Sequence, residues 1–289
     1  MSTEPRPPKF PLRLEQTAPK RGEVRGQQRS AAGHTGAAVL RPQAPLAHAA
    51  TTAQNASMPT GLGLDSADVR RRMVARLQSG GISHAGVLDA FQAVPRHLFV
   101  DTGLVNQAYE DTSLPIGHGQ TISKPSVVAR MLELLTQGEN AALAAQVSGA
   151  KVLGRVLEIG TGCGYQAALL SLLSKSVISV ERLKPLHDKA REHLGALRSS
   201  NLRLVYGDGM LGHPPNAPYD SIIAAAGGQA LPQAWLDQLA VGGRLIAPVA
   251  QALGQRAAQV LMVVDRTPEG FRSQMLEGVL FVPLKSGFI

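Results

Sequence analysis

The chain predicts an α/β fold, a doubly wound and mostly parallel sheet with an N-terminal helical preface, and three observations carry that prediction. From residue 155 onward, apolar segments of strand length alternate with helical segments, the order that builds parallel sheets. The run VLEIGTGCGYQ, Val156 to Gln166, reads as a buried strand that breaks into a glycine turn and restarts as a helix. Two further apolar segments end in acids, Glu181 after SVISV and Asp208 after LRLVYG, and ligands of open α/β sheets sit outside the carboxyl ends of strands.

The elements follow in order. Residues 1–64 hold the basic, proline- and alanine-rich part of the chain, whose composition predicts a disordered extension, because so few large apolar groups cannot offset the entropy of ordering. Ser66 to Gln78 predicts a capped helix with Val69, Met73 and Leu77 at four-residue spacing. A second helix covers Ala85 to Ala93 and stops before Pro95; an extended stretch spans Leu114 to Ile122. A third helix, Lys124 to Leu135, carries the apolar stripe Val127, Val128, Met131, Leu132 and Leu135. Residues 65–135 thus form the substrate-covering part of a 65–289 domain, 136–154 a linker with a partly helical alanine-rich middle, and 155–289 a cofactor-binding core. In that core, strands are expected near 155–159, 177–181, 202–206, 219–225, 243–249, 258–265 and 276–283, with helices near 164–174, 184–198 and 231–240.

The glycine turn is the chemical signature. Gly160, Gly162 and Gly164 lack the Cβ atoms that would block a tight turn and a close ligand approach. Their spacing is GxGxG, not the GxGxxG of dinucleotide sites. Glu158 lies in the apolar strand itself, where a buried charge costs several kcal/mol unless partnered, so it is expected to meet backbone amides or a ligand. Glu181 follows Gly160 by 21 residues, about the distance at which an acid reaches ribose hydroxyls in nucleotide-binding βαβ units. With Asp208 and its neighbour Gly209, three acids are expected to converge on one crevice. Such a crevice suits S-adenosylmethionine, with its ribose hydroxyls, amino groups and positive sulfonium, better than a diphosphate.

These residues resemble the protein-L-isoaspartate O-methyltransferases, S-adenosylmethionine-dependent enzymes with a Rossmann-like methyltransferase sheet. The likeness spans about 66–289 through AVPRHLFV (93–100), AYEDTSLPIGHGQTIS (108–123), VLEIGTGCGYQ, SVER (179–182), GDG (207–209) and FVPL (281–284). The segment LPIGHGQTIS followed by Pro125 is its most specific part. The resemblance implies methyl transfer to the free α-carboxylate of L-isoaspartyl residues in damaged proteins and peptides, with repair through a succinimide. The family's active-site serine falls on Ser123, which is equally placed to cap the helix that follows; it is expected to orient the acceptor carboxylate and not to act as a nucleophile. Asp111 and Thr121 are further substrate-binding candidates, although the first could cap a turn and the second could satisfy strand backbone. Lys124, Ser126 and the run Gly227, Gly228, Gln229 depart from the family pattern.

Composition sets the remaining bounds. The first 60 residues carry eight Lys/Arg against three Asp/Glu, and the rest carry 21 against 18, so most of the basic excess lies outside the predicted crevice. Nucleic acid is therefore not expected as a partner, and no apolar run is long enough to span a membrane. The single cysteine, Cys163, excludes an internal disulfide and agrees with a reducing compartment. The eight histidines form no metal pattern. The expectation is a cytoplasmic monomer that acts on isoaspartyl proteins and peptides and binds no metal. An RNA or small-molecule methyltransferase, a nicotinamide dehydrogenase and a non-catalytic cofactor-binding protein are the rival readings.

Overall fold

The structure is a computed structural model that describes residues 67–147, 151–197, 199–253 and 256–289. The extension over 1–64 lies outside the described residues, as does Ser66. The preface holds α1 (Ala67–Ser79), α2 (Ala85–Ala93), a hairpin of β1 (Leu114–Gly117) and β2 (Gln120–Ile122), α3 (Pro125–Thr136) and α4 (Glu139–Ala145). Helix α2 starts where His84 Nδ1 accepts the Val87 amide, and its capping residue Val94 precedes the helix-breaking Pro95. The extended stretch 114–122 folds back on itself because Gly117, His118 and Gly119 all take positive φ, at 94°, 53° and 67°.

The core contains β3 (Arg155–Ile159), α5 (Tyr165–Leu173), β4 (Ser176–Glu181), α6 (Lys184–Gly195), β5 (Leu202–Tyr206), β6 (Tyr219–Ala224), α7 (Gln233–Gln238), β7 (Leu239–Leu253), β8 (Arg256–Thr267) and β9 (Gly270–Val279). The sheet order is β5-β4-β3-β6-β7-β8-β9. The first five of these strands are parallel, and β8 and β9 add antiparallel. The chain winds outward from β3 to β5, then returns to place β6 on the other side of β3. The carboxyl ends of β3 and β6 are thus the switch point where a ligand crevice forms.

Alternation along the strands splits the core between the two sheet faces. Val156, Val177 and Ile223 join the helical preface and α5 in one cluster, whereas Leu157, Ile159, Ile178, Val180 and Ile222 pack with Trp235 of α7 in the other. Trp235 also donates its indole N–H to the Gly209 carbonyl at 2.8 Å, which pins the loop after β5 to α7.

Two expectations need correction. The last strand runs over 270–279 and not 276–283; beyond Val279 the chain leaves the sheet as a strap, 280–289, whose Phe281 backbone is held by the Gln259 side-chain amide. Ser123 is not the cap of α3. Lys124 occupies that position without a side-chain cap, and Asp111 does the capping from the opposite leg of the hairpin, accepting from Ser126 N and Ser126 Oγ at 2.8 Å each.

Candidate active site

Two recesses adjoin along the hairpin, the loop after β6 and the strap, the smaller at the carboxyl ends of β3 and β6. The first is a cavity of about 80 Å³. Its walls come from Ile159, Gly160 and Gly162, from Val180 to Leu183, from Gly209, from Ala225 and Ala226, from Thr121 of the hairpin and from Val282 to Lys285 of the strap. The second is an open groove of about 870 Å³, with Ser123, Lys124, Ser126 and Arg130 along one side and Glu277 to Phe281 along the other. Three stretches face both spaces. Thr121 and Ser123, Ala226 and Gln229, and Val282 and Phe281 each put one member in the cavity and the other in the groove.

The glycine turn needs its glycines for separate reasons. Gly160 and Gly162 line the cavity with φ of 88° and 56°, left-handed values that a side chain rarely adopts. Gly164, at φ 93°, lies outside the cavity at the start of α5, where a Cβ would come 3.0 Å from Leu194 Cδ1 of α6. It serves helix packing. Gly209 lines the cavity, and a Cβ there would meet Ile159 Cγ2 at 2.6 Å.

Of the three acids expected to converge, one reaches the cavity. Glu181 is buried, and its two oxygens accept the Gly162 and Leu183 amides at 2.8 and 2.9 Å. A carboxylate oxygen can accept more than one hydrogen bond, so Glu181 keeps acceptor capacity while lining the cavity. Glu158 instead lies on the sheet face shared with Val156, fully buried, where it accepts from Ser179 Oγ. Burial, reinforced by the charge of Glu181, pushes its carboxyl up to about 8, so it is a neutral acid at pH 7. Asp208 caps the turn after β5 by accepting Met210 N at 2.8 Å, and its second oxygen takes the Gly287 amide of the strap at 2.6 Å. The reasons differ: Asp208 is taken up by two backbone amides, whereas Glu158 lies under the helical preface with one oxygen bonded to Ser179 and the other without a partner among the described residues.

The cavity retains what a nucleoside-bearing sulfonium donor needs. It offers apolar surfaces from Ile116, Ile159, Leu183 and Leu186, Cβ-free approaches at three glycines, and one oriented carboxylate. Cys163 is buried, and burial pushes its thiol up to about 11, which removes it as a nucleophile. Among the described residues no cluster of His, Cys, Asp and Glu could hold a metal ion, and no helix is long and apolar enough to cross a membrane.

In the groove, Ser123 is partly exposed and its carbonyl accepts Arg96 Nη2 at 2.9 Å. Since Asp111 performs the capping, the Ser123 hydroxyl is spared that duty. Arg130 crosses the groove to Glu277 at 3.1 Å; a bulge between Val260 and Met262 shifts the β8–β9 register just before this point. The departure at Gly227 also has a local cause: its amide and carbonyl bond Val282 and Leu284 of the strap, and a Cβ would lie 2.5 Å from Gln259 Nε2. Sequence reasoning gave no site role to the strap, although FVPL was visible as a motif, nor to Arg130 and Glu277, which only tertiary structure brings together.

Residues 68–288 match the protein-L-isoaspartate(D-aspartate) O-methyltransferase family. A protein-L-isoaspartate O-methyltransferase of Methylibium petroleiphilum is 59% identical over 290 residues, covering 99% of both chains. Its counterpart in Leptothrix cholodnii is 56% identical, covering 99% of this chain and 96% of its own. A solved protein-L-isoaspartate O-methyltransferase superposes with a TM-score of 0.64 at 27% identity, over 76% of this chain and 67% of that one. A second structure, a proposed enzyme of the same kind from Plasmodium falciparum in complex with S-adenosyl-L-homocysteine, shares the fold with a TM-score of 0.62 at 24% identity, over 75% and 98% of the two chains. With its sheet order, its glycine turn and these likenesses taken together, the chain belongs to the protein-L-isoaspartate(D-aspartate) O-methyltransferase family.

Proposed function

We propose that the chain transfers a methyl group from S-adenosylmethionine to the free α-carboxylate of L-isoaspartyl residues in damaged proteins and peptides, initiating repair through a succinimide. The observation that carries this reading is the shared wall, with Thr121 in the donor cavity and Ser123 in the groove two residues later on one hairpin leg. When bound, the donor supplies a methyl group on a positively charged sulfur. The acceptor carboxylate is already ionised at pH 7, so the site needs no strong base, and no histidine lines either recess. The task left to the protein is alignment of donor and acceptor, which can account for roughly 7 to 11 kcal/mol of barrier at best.

Glu181 would hold the ribose hydroxyls through the acceptor capacity left by Gly162 and Leu183. Gly160, Gly162 and Gly209 admit close approach of the donor, and Ile116 and Thr121 cover it. Ser123 Oγ orients the acceptor carboxylate by a hydrogen bond. Lys124, Arg130 and Glu277 face the residues flanking the isoaspartyl group. Glu158, Gly164 and Asp208 support this arrangement from outside the cavity. The buried thiol of Cys163 favours a cytoplasmic setting, and we infer a monomer there, which sedimentation of the purified chain tests.

The activity is tested by incubating the chain with labelled S-adenosylmethionine and paired peptides that differ only in L-isoaspartate or L-aspartate. Base-labile label on the isoaspartyl peptide alone is the expected result. Equal labelling of both peptides, or of neither, would overturn the reading.

A further inference from the structure

Arg96 is the most anomalous side chain of the preface. It is fully buried, and among the described residues its Nε and Nη1 find no hydrogen-bond partner. No carboxylate closes an ion pair with it among those residues; its charge rests over the Tyr165 ring, 4.9 Å from the centroid. A buried cation without a paired anion is costly, and a cation–π contact returns only part of that cost. What the guanidinium does accomplish is geometric. Its Nη2 donates to the Ser123 carbonyl at 2.9 Å and reaches toward the Thr112 carbonyl at 3.4 Å. Thr112 and Ser123 are the two feet of the hairpin in which Leu114 pairs with Ile122. One nitrogen therefore ties the open end of the hairpin together at the residue whose hydroxyl faces the groove. Asp111 and Ser126 form the adjoining tie, so the two legs are joined twice in succession.

On these grounds, and resting on the function proposed above, we infer that Arg96 is a positioning residue for methyl transfer: it fixes the Ser123 backbone so that the hydroxyl meets the acceptor carboxylate. It touches neither donor nor acceptor, since it lines neither recess. A lysine in its place keeps the charge but not the planar fork. An apolar residue would leave the Ser123 carbonyl without this donor.

A double-mutant cycle on the full chain tests the coupling, because residues that act through one another are not additive. The single variants Arg96→Lys and Ser123→Ala and the double variant are compared for kcat and KM on the isoaspartyl peptide, with melting temperature and S-adenosylhomocysteine affinity measured alongside. Arg96→Lys is expected to lower kcat/KM about tenfold in the Ser123 background and less than twofold in the Ser123→Ala background, with cofactor affinity changed less than twofold. Equal losses in both backgrounds, or a parallel fall in cofactor affinity, would reduce Arg96 to a structural residue. If Arg96→Lys does not fold, Arg96→Met carries the same cycle, since it removes the donor to the Ser123 carbonyl together with the buried charge; additivity there overturns the inference equally. A wild-type chain that labels no isoaspartyl peptide would remove the proposed function as well, whereas an active wild type with an additive cycle removes only the role of Arg96.

Discussion

The cavity and the groove share three walls, yet they are made of different materials. The cavity combines glycine backbone and aliphatic side chains with one carboxylate held by two amides, and Gln120, Thr121, Arg182 and Lys285 complete its lining. The groove presents three serines, a lysine, an arginine and a glutamate, and the charged side chains keep much of their exposure. A donor that never varies is served by fixed main chain, whose hydrogen bonds need no reorganisation. On the proposed function, an acceptor embedded in many different sequences would be served by an open trough in which only the reacting group is held and the flanking charges are screened by solvent.

That contrast can be broken in four places. The largest expected effect lies beneath the cavity. The Glu158 carboxyl is raised from 4.5 to about 8 by burial, so the folded state holds a proton that the unfolded chain has released. Its contribution is complete below pH 4.5 and is lost as pH rises toward 8, amounting to roughly 2 kcal/mol between pH 5 and 7. Chemical denaturation across that range should find Glu158→Gln much flatter than wild type; an equal slope would mean that Glu158 is ionised in the fold. Next comes Glu181→Ala, which removes the acceptor of two amides and should weaken S-adenosylhomocysteine about thirtyfold, or roughly 2 kcal/mol by calorimetry. Unchanged affinity would show that the cavity does not need its carboxylate.

Ser123→Ala should reduce kcat/KM for the isoaspartyl peptide about tenfold while leaving cofactor affinity alone. Loss of cofactor binding instead would merge the two recesses into one site. The smallest effect belongs to Lys124→Gln. Its ammonium is exposed and lies 4.0 Å from Asp111, so KM for peptides with an acidic neighbour should change no more than about threefold, and less in high salt.

How far the sequence revealed this arrangement depended on whether neighbours in space were neighbours in sequence. The glycine turn, Glu181 and the helix over 85–93 are local patterns, and local backbone chemistry decided them. Glu158 was expected to meet backbone amides or a ligand; alternation puts it instead on the face of Val156, which the helical preface covers. Asp208 could not have been placed from sequence, because its second partner is Gly287, 79 residues away. The end of the sheet was misjudged for a related reason. Apolar residues continue through Leu284, but the Gln259 amide captures the Phe281 backbone and draws the chain out of the ladder. Ser123 lost its expected capping duty to Asp111, an exchange visible only once the hairpin closes.

The strap also gives the donor cavity a kinetic character. At about 80 Å³ the cavity is well below the roughly 300 Å³ at which small-molecule sites begin, and Val282 to Lys285 form one of its sides. Val282 and Leu284 share main-chain hydrogen bonds with Gly227; further along, the Gly287 amide donates to the Asp208 carboxylate and Ile289 is bonded to the main chain of Arg182 and Lys184. Admitting a donor of nucleoside size requires this side to move outward, and the two main-chain bonds at Gly227 are the ones such a movement must break.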